Sequence, residues 1–271
     1  QMKILLNNND LNEALYGVTN LGFVPTMGSL HKGHISLIKK SLNECKKTIV
    51  SIFVNPTQFN NKNDYKNYPR NIKSDLSILR KLKVNFIYMP SKKDVYHVKR
   101  KYLIKIKKKD KILCAKVRKG HFEGVIEVMD RLTNLIKPKK IYMGEKDFQQ
   151  LYLVSKYLHN KYDVKIISCK TIRDTNKLVF SSRNKLLNKT ELDKAVKISK
   201  EIFFFKKKFK KNRDIKKLII GKKKELINTF NIKLDYLELR NILNFKISNK
   251  FENSKLFIAY YINKVRLIDN F

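Results

Sequence analysis

Two histidines, His31 and His34, stand three residues apart in segment 25–34, which reads PTMGSLHKGH. The segment follows an apolar run typical of a buried strand and precedes apolar residues at helical spacing. A helix that begins here offers free N–H groups and the positive end of its dipole, both of which suit phosphate. Imidazoles on the same turn can donate hydrogen bonds to phosphate oxygens as charge develops on a leaving group. Since Gly28 and Gly33 let the backbone approach a nucleotide closely, the segment predicts a nucleotide-binding site.

A His-x-Gly-His pattern by itself is equally compatible with an ordinary loop, and its place between a strand and a helix favours a functional role. The sequence contains neither G-x-x-x-x-G-K-[ST] nor G-x-G-x-x-G. The sequence therefore argues against a P-loop protein and against a classical dinucleotide-binding protein.

Strand-like and helical segments alternate up to residue 171, which indicates an α/β fold with a parallel sheet and right-handed crossovers. In such a sheet ligands bind beyond the carboxyl ends of the strands, where segment 25–34 is expected. The predicted strands are 22–27, 47–54, 84–89, 141–143 and 164–169, and the predicted helices are 35–45, 74–82, 122–136 and 148–158. The predicted buried face of the first helix consists of Ile35, Ile38, Leu42 and Cys45. Asp147 is the predicted N-cap of the last of these helices.

The pattern changes after residue 171, where Lys-rich amphipathic helices are followed by two strand-like segments. We therefore predict a first domain over 1–171 and a smaller α+β domain over 172–271. The helices are predicted at 190–205 and 214–230, and the strands at 234–239 and 256–261. In the first domain, segment 99–111 is basic and locally alternating, and it is expected to form an exposed hairpin or loop.

The charge is strongly positive, with 61 Lys and Arg against 23 Asp and Glu and a formal net charge of +38. Such a charge could indicate a nucleic-acid or membrane-surface partner. However, the lysines are spread over the whole chain, and the composition is typical of an AT-rich genome. We expect no specific nucleic-acid partner, only weak, salt-dependent binding that is indifferent to sequence.

The three cysteines are widely separated and form no CxxC pair, which argues against both a disulfide framework and a zinc site. A reducing, cytoplasmic location is therefore expected. No apolar run approaches the roughly 20 residues that a membrane-spanning helix needs, so no membrane partner is expected.

Segment 25–34 resembles the signature of the HxGH nucleotidyltransferases. Further motifs along the chain are VNPTQF at 54–59, YPR at 68–70, GHF at 120–122, GEKDFQQ at 144–150, SSRN at 181–184, DYLELR at 235–240 and RLIDN at 266–270. In order and spacing, and over nearly the full chain, these motifs resemble those of the pantothenate synthetase family.

The resemblance implies the two-step reaction of that family. The carboxylate of pantoate attacks the α-phosphate of ATP to give pantoyl adenylate and pyrophosphate, and the amine of β-alanine then displaces AMP. It also implies a Rossmann-like first domain with helices on both faces of the sheet, a C-terminal lid domain that carries the SSRN loop, dependence on Mg²⁺, and a homodimer.

The same resemblance assigns roles to individual residues. The catalytic group is His34, with His31 and Lys146. The expected ATP contacts are Met27, Gly28, His31, His34, Gly144, Glu145, Lys146, Asp147, Ile172, Phe180, Ser181, Ser182 and Arg183. The expected pantoate contacts are Pro25, Met27, Gln58 and Gln150, and Gln58 is also expected at β-alanine.

Asn55 and Arg70 are expected to support the pantoate wall, and Arg118 to approach the polyphosphate. His121 is expected to be structural. Asp75 is a candidate Mg²⁺ contact, but an exposed helix carboxylate is the favoured interpretation of this residue.

One alternative is a nucleotidyltransferase that transfers AMP or CMP to a phosphorylated acceptor. It would share the two histidines but would not require Gln58, Gln150 and the GEKD and SSRN motifs together. The chain also departs from the family in places. Lys32 lies between the histidines where an acidic residue is common, Thr175–Leu178 replaces an Asp-Gly turn, and Phe180 replaces Met or Leu. Loss of the glycine predicts a stiffer hinge.

Overall fold

The computed structural model describes residues 2–99, 103–211 and 214–271. The chain divides into two compact units, Gln1–Thr171 and Ile172–Phe271. Residues 100–102 of the predicted basic loop lie outside the described residues. The rest of that segment is irregular except for a 3₁₀ turn at Lys108–Asp110.

The first unit contains a parallel sheet of six strands within the described residues, in the order β1-β4-β3-β2-β5-β6. Its strands are β1 (Lys3–Leu5), β2 (Leu21–Thr26), β3 (Lys47–Ile52), β4 (Phe86–Tyr88), β5 (Lys140–Gly144) and β6 (Lys165–Cys169). Its helices are α1 (Asn8–Leu15), α2 (Lys32–Glu44), α3 (Lys62–Lys66), α4 (Ile72–Lys81), α5 (Lys92–Val95), α6 (Cys114–Val117), α7 (His121–Ile136) and α8 (Phe148–His159). The predicted α/β class and parallel sheet are confirmed.

Strand β2 lies inside the sheet, paired with β3 along its length and with β5 near its start. Burial on both sides explains its continuous apolar sequence. From β2 the chain adds β3 and β4 on one side, then crosses to the other side for β5 and β6. Ligands bind where the strand order reverses in this way, at the carboxyl ends. The segment after β2 therefore begins at the edge of the sheet that is suited to a ligand.

The predicted buried face of α2 is wrong in part. The helix buries Leu37, Ile38 and Ser41, whereas the other predicted members of its face are partly exposed. The small Ser41 side chain permits this orientation, because its hydroxyl lies 2.8 Å from the Thr48 hydroxyl on β3 and satisfies it. The sequence alone did not predict β1, α1 or the last strand of the chain.

The second unit packs two helices on an antiparallel sheet that has three strands in the part of the chain described, in the order β7-β8-β9. Its elements are α9 (Lys189–Lys207), α10 (Ile215–Phe230), β7 (Lys233–Asn241), β8 (Ser254–Ile262) and β9 (Val265–Asn270). Ile198 and Ile202 of α9 and Leu226 of α10 share a core with Leu237 and Ile258 of the sheet. Lys222 of α10 is also buried on this side of the helix, where its ammonium donates hydrogen bonds to Glu201 at 2.6 Å and to Glu225 at 2.7 Å. None of the helices in the described ranges is long and apolar enough to cross a bilayer.

Candidate active site

The loop after β2 is held in one conformation by Asp75. Gly28 has φ +79° and Ser29 has φ +52°, so two consecutive residues adopt the left-handed region. Asp75 Oδ2 accepts a hydrogen bond from the Ser29 N–H at 2.8 Å, and Oδ1 accepts one from the Leu30 N–H at 2.7 Å. A Cβ atom on Gly28 would lie 3.0 Å from Asp75 Oδ2 and 3.1 Å from Ile52 Cγ2, so only glycine fits without strain.

The structure corrects the expectation that Asp75 is an exposed helix carboxylate. Its side chain is 2% exposed and lies in the first turn of α4. Both of its oxygens accept hydrogen bonds from the loop, which satisfies two buried donors. This arrangement favours an anchoring role over the predicted contact with Mg²⁺.

His31 and His34 come together at the start of α2. His31 is the N-cap, and its Nδ1 accepts a hydrogen bond from the Gly33 N–H at 3.1 Å. An accepting nitrogen carries no proton, so neutral His31 holds its proton on Nε2. The two ring centroids are 4.0 Å apart. The helix start thus combines its own N–H groups with two neighbouring imidazoles, which is suited to oxygens that gain negative charge.

Gln58 lies beside Met27, so the structure brings these two predicted pantoate residues together. Gln58 ends the 3₁₀ turn Pro56–Gln58 and is 8% exposed. Its Oε1 accepts from Asn55 Nδ2 at 3.2 Å, and its Nε2 donates to Met27 Sδ at 3.0 Å. Thioether sulfur is a weak acceptor, so a ligand oxygen in its place would accept a stronger hydrogen bond from Gln58 Nε2.

His121 supports Gln58 from the other side, in agreement with its expected structural role. Arg118 donates to His121 Nε2 at 2.9 Å, because a guanidinium can only donate. The proton of neutral His121 is therefore on Nδ1, which donates to the backbone oxygen of Gln58 at 2.7 Å. The expected approach of Arg118 to a polyphosphate stays a prediction.

Residues 145–147 follow Gly144, the last residue of β5, which is the neighbour of β2 in the sheet. The segment therefore leaves the same edge of the sheet as the loop with the histidines. Lys146 Nζ lies 3.6 Å from Asp147 Oδ1. Asp147 occupies the N-cap position of α8 as predicted, but its side chain makes no capping hydrogen bond. Glu145 Oε1 accepts a hydrogen bond from the Ser168 hydroxyl at 2.9 Å.

The two adjacent glutamines in α8 have different environments. Gln149 is buried, and its amide donates to the Ile112 oxygen at 2.8 Å and accepts from the Cys114 N–H at 3.1 Å. It therefore anchors the segment before α6. Gln150, the predicted pantoate contact, is partly exposed and lies in the first turn of the helix.

The family model for pantoate-β-alanine ligase matches residues 3–271. The chain belongs to this family. It is 42% identical over 258 residues to a pantothenate synthetase from Francisella tularensis subsp. novicida. The match covers 93% of this chain and 88% of the relative. A crystal structure of pantothenate synthetase from Thermus thermophilus superposes with a TM-score of 0.93 at 28% identity, over 100% of this chain and 99% of that one.

A second solved relative carries ligands. The Francisella tularensis pantoate-β-alanine ligase, described as complexed with β,γ-ATP and β-alanine, superposes with a TM-score of 0.84 at 40% identity. The match covers 100% of this chain and 97% of the relative. The predicted family and its ligase activity are confirmed by these comparisons, and the alternative of transfer to a phosphorylated acceptor is set aside.

The other predicted ATP contacts of the ligase, Ile172, Phe180, Ser181, Ser182 and Arg183, belong to the second unit, and their roles stay predictions. Ser181 caps a 3₁₀ turn, with its hydroxyl accepting from the Arg183 N–H at 3.3 Å. The loop before it is fixed by Arg173, whose guanidinium binds both oxygens of Asp269 at 2.7 Å.

The segment that departs from the family, Thr175–Leu178, contains a residue in a conformation suited to glycine. Lys177 has φ +71°. Its carbonyl oxygen accepts hydrogen bonds from Arg173 at 2.8 Å and from the Ser199 hydroxyl at 2.7 Å. These two contacts hold a non-glycine residue in a strained turn.

Proposed function

We propose that this ligase activates pantoate as an adenylate at the carboxyl end of β2, before β-alanine takes the acyl group. A carboxylate oxygen attacks the α-phosphorus of ATP, and the bond to the β-phosphate oxygen breaks as pyrophosphate leaves. The amine of β-alanine then attacks the acyl carbon, AMP leaves with the bridging oxygen, and a proton passes to solvent. The observation that carries this proposal is the loop anchored by Asp75, which runs from Met27, in contact with Gln58, to His31 and His34 at the start of α2.

The imidazoles act on the phosphates. His31 presents Nε2–H as a donor, because its Nδ1 is occupied by the Gly33 N–H. His34, in the first turn of the same helix, is the main donor to the phosphate oxygens as charge develops on them. Donors fixed before the reaction stabilise that charge without rearrangement.

Pantoate is bound along Pro25, Met27, Gln58 and Gln150. The hydrogen bond from Asn55 to Gln58 Oε1 keeps the donating end of this amide toward Met27. A neutral amide can donate to a carboxylate or hydroxyl without adding a charge that competes with the phosphates. Gln58 then meets β-alanine in the second step.

ATP extends from the helix start to the segment after β5. Lys146 supplies positive charge to the phosphates, Asp147 meets the ribose, and Gly144 and Glu145 line the nucleotide. Ile172, Phe180, Ser181, Ser182 and Arg183 are further proposed contacts of ATP. The ligands of the solved Francisella relative support ATP and β-alanine as substrates of this chain.

Mg²⁺ is proposed to arrive with the nucleotide. Among residues 2–99, 103–211 and 214–271, no group of three or more His, Cys, Asp or Glu side chains could hold a metal. Mg²⁺ at ATP usually keeps several waters and phosphate ligands, which fits this chain better than a protein cage. When bound, it neutralises phosphate charge. The steps assigned to the protein's residues do not depend on a protein ligand to the metal.

We also propose a homodimer, on the basis of the family resemblance, and a cytoplasmic location. The three cysteines are free, which suits a reducing compartment. The mass of the purified protein in solution, at micromolar concentration, would test the dimer directly.

An isotope-transfer experiment tests the adenylate. Pantoate labelled with ¹⁸O in its carboxylate is turned over with Mg-ATP and β-alanine, and the AMP is analysed by mass spectrometry. The proposal requires one labelled oxygen in AMP, because the attacking oxygen stays on phosphorus. AMP without label would contradict it.

A further inference from the structure

Gly124 is the point at which helix α7 touches the turn that ends in Gln58. A Cβ atom on Gly124 would lie 2.5 Å from the Thr57 oxygen, 2.8 Å from the Thr57 carbonyl carbon and 2.9 Å from the Gln58 nitrogen. All three are backbone atoms, which cannot rotate away as the end of a long side chain can. The helix and the turn can therefore approach this closely only because residue 124 has no side chain.

Hydrogen bonds tie the same two elements together. Asn55 Nδ2 donates to the Gly124 oxygen at 3.2 Å and to Gln58 Oε1, also at 3.2 Å. One turn earlier in α7, His121 Nδ1 donates to the Gln58 backbone oxygen at 2.7 Å. The first two turns of α7 thus fix both the main chain and the side chain of Gln58.

We infer that Gly124 is a positioning residue that sets where Gln58 meets pantoate. The close approach that it permits keeps the Gln58 amide 3.0 Å from Met27 Sδ, and a side chain at 124 would displace the turn and this amide together. The inference rests on the proposed binding of pantoate by Gln58. Asp75 holds the nucleotide-binding loop 27–34, so a side chain at 124 should leave the geometry of that loop unchanged.

The test is Gly124→Ala, with Gly221→Ala as the matched control. Gly221 lies in helix α10 and a Cβ atom there would meet nothing within 4 Å. We expect Gly124→Ala to raise the KM for pantoate by about tenfold or more while the KM for ATP changes by less than about twofold. The control should leave both constants unchanged. Equal KM values for pantoate in Gly124→Ala and wild type would overturn the inference.

A double-mutant cycle shows whether Gly124 acts through Gln58. In the Gln58→Ala background, adding Gly124→Ala should change the KM for pantoate little further, because the group that it displaces is absent. Additive effects would contradict the inference. If Gln58→Ala alone leaves this KM unchanged, the proposed role of Gln58 fails; if only Gly124→Ala has no effect, the inference alone fails.

If Gly124→Ala does not fold, as judged by circular dichroism, a second variant tests whether α7 positions Gln58. His121→Ala removes the other tie from α7 to Gln58 without adding an atom. We expect it to raise the KM for pantoate and to be non-additive with Gln58→Ala. An unchanged KM in His121→Ala would then overturn the inference.

Discussion

His31 Nδ1 accepts a hydrogen bond from the Gly33 N–H at 3.1 Å. One side chain therefore caps helix α2 with one nitrogen and, when neutral, carries its proton on the other, Nε2, which is the proposed donor to phosphate. The cap and the donor are on the same ring, so the helix start and the proposed phosphate contact are formed together. This dual use can be separated by mutation.

His31→Asn should retain the cap and lose the donor, because Asn is a good N-cap but is too short to replace Nε2. We expect its unfolding free energy to stay close to that of the wild type while adenylate formation slows. His31→Ala should slow adenylate formation and also lose about 1 kcal/mol of stability. Urea unfolding and pyrophosphate release, measured on both variants, check this; equal stability of the two would contradict the capping role.

Asp75→Ala should destabilise the protein even without substrates or metal. The Ser29 and Leu30 N–H groups would each be buried without their carboxylate acceptor, at about 1–3 kcal/mol apiece. Asp75→Asn should lose less, since one oxygen can still accept. Denaturant unfolding in EDTA measures this, with exposed Asp193→Ala as a control expected to stay within about 0.5 kcal/mol. Normal stability of Asp75→Ala would return the residue to its predicted role at Mg²⁺.

Lys177→Gly should stabilise the second unit. At φ +71° glycine adopts the native backbone without the strain that a side chain causes. After allowing for the greater freedom of glycine in the unfolded chain, we expect a gain of about 0.5–1 kcal/mol. Lys197→Gly, at an exposed position of helix α9, is the control and should lose about 1 kcal/mol. A loss of stability in Lys177→Gly would show that the two hydrogen bonds to its carbonyl require the lysine.

Lys206 should make stability depend on alkaline pH. Burial, with the nearby charges of Lys255 and Arg173, lowers the pKa of Lys206 to about 8, against 10.5 in the unfolded chain. Below pH 8 Lys206 is protonated in both the folded and the unfolded state, so the folded state carries the unfavourable buried charge. Between pH 8 and 10.5 the unfolded state binds more protons, so stability rises with pH.

Removing the charge should abolish that rise. The difference in stability between wild type and Lys206→Met should shift in favour of the wild type by no more than about 1 kcal/mol from pH 7 to 10, because the group is partly exposed to screening solvent. Denaturant unfolding at several pH values measures it, with exposed Lys208→Met as the control. Parallel pH profiles for wild type and Lys206→Met would count against the effect.

Strands β2 and β3 could be predicted from sequence because burial on both sides leaves a continuous apolar run. The strand β1 could not, since three residues with only Leu5 buried carry no such pattern. The anchor Asp75 was misjudged for a related reason. A carboxylate in the first turn of a helix is usually exposed, and only the folded loop shows which donors it meets.

The candidate site shows a similar division. The motifs predicted His31, His34 and Gln58, because residue type and spacing carry their chemistry. The contact of Gly124 with the Thr57 carbonyl joins residues far apart in the sequence, and no local pattern signals it. The contrast between buried Gln149 and partly exposed Gln150 also arises from the segment that packs on α8, not from the two residues themselves.

The most direct test of adenylation at this site is pyrophosphate release from Mg-ATP and pantoate in the absence of β-alanine, by wild type and by His34→Ala. We predict a burst of one pyrophosphate per wild-type active site, followed by AMP release only when β-alanine is added. In His34→Ala the burst should slow by about 10²–10³-fold while ATP still binds. Pyrophosphate release that requires no pantoate, or a burst of normal rate in His34→Ala, would contradict the account.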